Sequence, residues 1–245
     1  MMQDGRRRIG RCSVAAVVAA WVGLAGCGAG MDFAPSVRVP PEQRQVITGS
    51  FVGKEVVLPK AQPFNIHVKQ SAQNPGANGT AQGVADANGW GEASCSTSAG
   101  DGGSATGEFR IGQAIDYRGD VPVTVAVRVS FKLVHELTAE PVAPGNLAQL
   151  SLTVAVRDLA GRVNRKIPMD SLSSDDSCGK ATRSDVQEFT FVMAPDTSYQ
   201  ITLDGNASAA SEKGGKAAAN LVVNNLQMTM QFSAGPAPTT APAPK

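Results

Sequence analysis

Aromatic side chains are scarce: two Trp, two Tyr and eight Phe make up 5% of 245 residues. No platform of stacked rings can therefore surround Trp90, the one tryptophan beyond residue 26. Histidine is scarcer still, with only His67 and His135. His135-Glu136 opens like a zinc-protease helix, but Ala139 stands where the second metal-binding His is needed, and the segment reads as a strand. Gly102-Gly103-Ser104-Ala105-Thr106 breaks the nucleophile-elbow pattern at its last position. A phosphate-cradling Gly-rich loop and a Cys-x-x-Cys pair are both missing. Neither sign of charge dominates, with 22 basic and 21 acidic residues and no basic block, which excludes a nucleic-acid footprint built on clustered Lys and Arg. Asp170, Asp175, Asp176, Asp204 and Asn206 offer oxygens without calcium-loop spacing, as solvated turns do. These absences predict no catalytic residue, no metal and no cofactor.

Long apolar runs are also missing beyond the beginning of the chain. Residues 1–11 hold Arg6, Arg7, Arg8 and Arg11 against Asp4, and an uncharged apolar run follows from Cys12 to Gly26. Crossing a bilayer takes ~20 apolar residues, so the run is short for a permanent anchor. A basic start, an apolar run of this length and small residues at its exit predict a cleaved secretory signal, a helix over residues 1–26. The exit reads Leu24-Ala25-Gly26-Cys27. In this tetrad the chain resembles the bacterial lipoproteins, whose lipobox has the pattern Leu, small, small, Cys. The resemblance implies that Cys27 receives a diacylglycerol group and becomes the acylated first residue of the mature chain. Gly28 follows in place of the acidic residue that retains many such proteins at the inner membrane. The implied location is the bacterial cell envelope, at the outer membrane where the host has two.

Removing residues 1–26 takes away four basic residues and one acidic one, leaving 18 and 20, a net of about −2. Cys12 leaves with the signal and Cys27 is acylated, so Cys95 and Cys178 remain. Two thiols in an oxidising compartment most often pair, which predicts a Cys95–Cys178 disulfide. Residues 27–44, with three prolines, read as the lipidated end and a flexible tether, and 235–245 (GPAPTTAPAPK) as a disordered tail. Residues 45–234 form one domain, large enough to bury a full core.

Within that domain the leading signal is alternation with a period of two. Val123, Val125, Val127, Val129, Phe131 and Leu133 share one face, with Thr124, Arg128, Ser130 and Lys132 opposite. Leu150, Leu152, Val154 and Val156 repeat the pattern, as do Phe189, Phe191 and Met193, then Tyr199, Ile201 and Leu203, then Leu226, Met228, Met230 and Phe232. Such runs are strands with one buried face, and no stretch shows apolar spacing of three and four. Val52-Gly53-Lys54-Glu55 suits a tight hairpin and Gly214-Gly215 a two-residue turn. From Ala81 to Cys95 small residues alternate (Ala81, Gly83, Ala85, Ala87, Gly89, Gly91, Ala93, Cys95), which reads as an extended strand packed close to another sheet. The expected fold is all-β, a two-sheet antiparallel sandwich, jelly-roll or immunoglobulin-like, of nine or ten strands, with Val123–Leu133 and Leu150–Val156 paired near its centre. From Phe109 onward, FRIGQAI, FTFVMAPDTSYQITLDGNASA and ANLVVNNLQM resemble the jelly-roll-like sandwich domains of secreted bacterial proteins of the PEP-CTERM type, without that family's sorting tail. The resemblance implies a fold and no activity.

Together these readings predict a non-catalytic envelope protein, held to the membrane by its N-terminal lipid. It would bind an envelope protein or a glycan, or serve a structural role, with the region around Trp90 as the binding surface. The alternative is a periplasmic hydrolase whose site is assembled from scattered residues.

Overall fold

Every alternating run of large apolar residues forms a strand with its apolar set inward. In the computed structural model, residues 37–73, 79–98, 100, 102–143, 145–159, 164–176 and 178–235 are described. The signal helix, Cys27 and the tail from residue 236 lie outside them. The described residues hold twelve strands: β1 (Gln45–Thr48), β2 (Glu55–Leu58), β3 (Ile66–Gln73), β4 (Gly79–Ala85), β5 (Gly91–Thr97), β6 (Gly103–Arg118), β7 (Val123–Glu140), β8 (Leu147–Asp158), β9 (Asn164–Ser173), β10 (Gly179–Met193), β11 (Thr197–Ser211) and β12 (Lys216–Ala234). The only helices among the described residues are two short 3₁₀ turns, Pro41–Gln43 and Gly49–Phe51. None is long and apolar enough to cross a membrane. Twelve exceed the nine or ten expected, since short strands such as β1 and β2 are too brief to show a sustained alternation.

The strands make a β-sandwich. Sheet one runs β1-β6-β11-β8-β9, with β3 also on β6, and sheet two runs β10-β7-β12-β5-β4, with β2 also on β12. Apart from the short parallel pair β1–β6, pairing is antiparallel. One continuous core fills the space between the sheets and includes Val127, Val129, Leu133, Leu152, Val154, Tyr199, Ile201 and Met228, each no more than 3% exposed.

Three expectations need correction. The runs Val123–Leu133 and Leu150–Val156 do not pair: β7 lies between β10 and β12, and β8 between β11 and β9. The two belong to opposite sheets, and their inward side chains share one core. Gly53 does take a positive φ of 83°, but its turn joins β1 of sheet one to β2 of sheet two and makes no hairpin. Likewise Gly214, at φ 81°, turns the chain from β11 to β12 across the sheets. Among the described strands, the consecutive pairs that share a sheet are β4–β5 and β8–β9.

The small-residue stretch forms the β4–β5 hairpin, turned over Asp86–Trp90, where Asp86 Oδ1 accepts from the backbone N–H of Asn88 at 2.8 Å and of Trp90 at 2.9 Å. Its small side chains let the two sheets approach backbone to backbone. A Cβ on Gly83 would sit 1.9 Å from the Glu108 carbonyl oxygen, and one on Gly107 2.2 Å from that of Gln82.

Residues 37–44, expected within the flexible tether, are docked instead. The Val37 N–H donates to Gln200 Oε1 at 3.0 Å, and Gln200 Nε2 donates back to the Val37 carbonyl. Arg44 donates from Nε to the Val39 carbonyl at 2.8 Å and pairs with Asp116 at 3.2 Å. Val39 buries itself against Ile66 and Ala114 on the outer face of sheet one. The short alternation Val37, Val39 before Pro40 thus marks a strap.

At the other margin, two arginines clip the sheets together. Arg183 pairs with Asp170 at 3.0 Å, and Arg165 Nη1 donates to the Thr190 carbonyl at 2.9 Å, linking edge strands β9 and β10. Pro168 and the charges on these strands suit edges, where they discourage pairing with a foreign strand.

Candidate functional site

The expected Cys95–Cys178 bridge is absent, and both cysteines are free thiols. Cys95 pairs with Ala219, Ala219 with Leu137, and Leu137 with Gly179, next to Cys178. Three strand spacings of ~4.8 Å separate Cys95 from Gly179, about 14 Å, whereas a disulfide needs Cα atoms ~4.4–6.8 Å apart. Counting cysteines cannot reveal that distance. The Asp/Ser-rich loop is pinned by Ser174 instead: its N–H donates to the Ala148 carbonyl at 2.8 Å, and the Ala148 N–H donates to its Oγ at 3.0 Å.

Burial pushes the Cys95 thiol up to about 11, with the backbone groups of Ala219 and Gly107 opposing the shift. At pH 8 its thiolate fraction is about one in a thousand, and the thiolate is the reactive form. The exposed Cys178 is therefore expected to alkylate readily in the native protein, and Cys95 only after unfolding. Peptide-level mass spectrometry checks this; equal labelling of both in the native state would contradict the burial of Cys95.

The residues with chemical potential are spread over the fold. His67 is exposed on β3 in sheet one, and His135 is half-buried on β7 in sheet two. Asp204 lies between two arginines on the outer face of sheet one, 3.1 Å from Arg110 Nε and 2.6 Å from Arg157 Nη2. Burial lowers the pKa of the Arg110 guanidinium from its ordinary value, and the Asp204 charge opposes this. Asp204 thus serves an ion cluster. Asp175 and Asp176 are exposed, and Asp170 is held by Arg183. Among the described residues no group of three or more His, Cys, Asp or Glu is placed to hold a metal.

Trp90 is half-buried beside Gly89, whose carbonyl accepts from the Leu226 N–H at 3.1 Å. It contributes to neither of two concavities on the outer face of sheet two. The smaller, about 350 Å³, is lined by Thr80, Glu92, Ser94, Ser96, Glu136 and Asn220 among others. The larger is a groove of about 780 Å³ across β2, β12, β7 and β10, reaching Arg165 and Ile167 of β9. Register sets its floor in three rows: Ser130 and Gln227; Glu188, Arg128 and Thr229; Thr190, Ala126, Gln231 and Glu55. Gln231 Nε2 donates to Glu55 Oε2 at 2.7 Å, Gln187 Nε2 donates to the Glu188 carbonyl at 3.2 Å, and Arg128 Nε lies 3.6 Å from Glu188 Oε1.

The two concavities exist because β12 changes partner. It pairs with β5 through Val223 and with β2 from Met228, and its register on β7 shifts between Asn224 and Gln227. Asn225 takes a φ of 55° there, a conformation Asn tolerates, and the inward set changes from odd to even positions. The Asn224-Asn225 pair is the signal in the sequence that could have marked it.

No protein-family model and no curated protein matches the chain. Some solved structures share part of its course. One describes the promiscuous specificity of carbohydrate-binding modules from the β-sandwich superfamily, at 10% identity over 68% of this chain and 56% of that one, with a TM-score of 0.21. Another is the Clostridium thermocellum xylanase 10B, its CBM22-1 and GH10 modules complexed with xylohexaose, at 12% identity over 73% of this chain and 26% of that one, TM-score 0.20. The chain thus spans about half of the first and a quarter of the second. At such scores neither likeness carries an argument about this protein's site.

Proposed function

We propose that this is a lipid-anchored protein of the bacterial envelope that binds or scaffolds without catalysing a reaction. The anchor rests on Leu24-Ala25-Gly26-Cys27 at the exit of an apolar run that follows four arginines. The binding role is supported by one observation above the others: the groove on sheet two presents hydrogen-bonding side chains and engages both of its carboxylates. Glu55 on β2 accepts from Gln231, and Glu188 on β10 faces Arg128, so each carboxylate is held by a partner of its own. His67 and His135 sit in different sheets, which weighs against the hydrolase alternative.

The docked strap revises the reach of the anchor. Nine residues stand between Cys27 and Val37, so ten chain steps limit the lipid's reach from the strap to about 36 Å. In a host with two membranes the outer one is the proposed location. Metabolic labelling with a palmitate analogue is expected to mark the wild type and not Cys27→Ala; equal labelling of both would remove the assignment.

A further inference from the structure

We propose that the groove on the outer face of sheet two binds an uncharged oligosaccharide, a reading that rests on the binding role above and gives it a ligand class. Two arginines, Arg128 and Arg165, and two carboxylates, Glu55 and Glu188, lie in the groove, so its formal charges cancel. Glu188 faces Arg128 at 3.6 Å and Glu55 accepts from Gln231, so no excess charge draws an ionic ligand. The neighbouring hollow differs, with Glu92 and Glu136 and no cation in its lining.

What the groove offers is hydrogen bonding of both senses. The amides of Gln187, Gln227 and Gln231 and the hydroxyls of Ser130, Thr190 and Thr229 each donate and accept. Sugar hydroxyls do the same, and a chain of linked sugars repeats them along its length. A peptide ligand is a poorer fit. The backbone groups of β7 and β12 are committed to neighbours on both sides, which leaves no ladder for an added strand at the centre of the groove. Of its apolar lining, Val127 and Phe189 are buried and Ala126 is small, which leaves Ile167 alone as an anchor for a protein interface. The groove's volume of about 780 Å³ is within the ~300–1,000 Å³ of small-ligand clefts. Its rings are few, so affinity comes from hydrogen bonds in competition with water, and the dissociation constant falls in the millimolar range.

The test is a titration of the lipidated protein in detergent micelles with cellohexaose, hexa-N-acetylchitohexaose and hexagalacturonate, read by amide chemical shifts. Saturable shifts centred on the side-chain amides of Gln227 and Gln231 are expected with at least one of the two uncharged hexamers, and weaker ones with the anionic hexamer. Thr229→Val and Gln227→Ala are each expected to weaken binding about five- to tenfold without moving the melting temperature. No groove shifts with either uncharged hexamer at about 10 mM, or a preference for hexagalacturonate, would overturn the proposal. In vivo photocrosslinking from position 229 separates the two failures. A specific protein adduct without sugar binding would refute the glycan and leave the binding role standing; no adduct and no sugar would remove both.

Discussion

Val127→Asp is expected to unfold the domain. Val127 is 2% exposed, lies between Phe189 and Met230 in the ladder of sheet two, and points into the core. An aspartate there places a carboxylate among apolar side chains with no partner, a change in the class that costs more than ~4 kcal/mol. A domain of this kind has only ~5–15 kcal/mol in total. Arg128→Asp, one residue along, turns to solvent. It gives up an exposed pair with Glu188 and sets two acids side by side, at a cost of at most about 1 kcal/mol. Thermal denaturation followed by circular dichroism compares the two. Similar melting temperatures would mean that the strand presents its other face to the core.

Gly107→Val is expected to be nearly as damaging, for a different reason. The first added carbon would meet the carbonyl oxygens of Gln82 at 2.2 Å and Ser94 at 2.6 Å, both backbone atoms of the opposite sheet. Neither can swing aside as a side chain would, so the sheets must part along β4 and β5 and loosen the core behind them. Overpacking of this kind costs about 3 kcal/mol or more. Gly49→Ala is the control, because nothing lies within 4 Å of its added carbon and its φ lies outside the positive range. The melting temperature should fall by roughly 6–12 °C for Gly107→Val and stay put for Gly49→Ala. An unchanged value for Gly107→Val would deny the close approach of the sheets.

These two variants separate what the sequence displays from what it conceals. Alternation identifies which side chains go inward, because a strand's side chains point to opposite faces in turn. It therefore revealed the buried faces of β7, β8, β10, β11 and the second half of β12. It carries no information about which sheet a strand joins, and so the expected β7–β8 pair turned out to be two strands of opposite sheets that share one core. The same gap explains the cysteines, whose number is visible and whose separation is not. Small residues between Ala81 and Cys95 announced a close approach, but the hairpin was missed although Asn88-Gly89 is a strong turn signal. The groove was hidden for the plainest reason: its floor is assembled from residues near 55, 128, 188 and 229, which no local pattern connects.

The position of β12 bears on when the protein can fold at all. It is the last of the described strands, yet it occupies the middle of sheet two, between β7 on one side and β5 and β2 on the other. The strand before it, β11, holds the middle of sheet one, between β6 and β8. A nascent chain that has reached residue 196 therefore has the flanks of both sheets and the centre of neither. Long-range pairing of this kind is slow, since distant segments must meet before any contact rewards the loss of freedom. Such a chain stays open until residues 197–234 arrive, so its core closes only when nearly all of it has been made. It also leaves bare strand edges exposed throughout synthesis, so a stalled or shortened product is more prone to aggregate than a finished one.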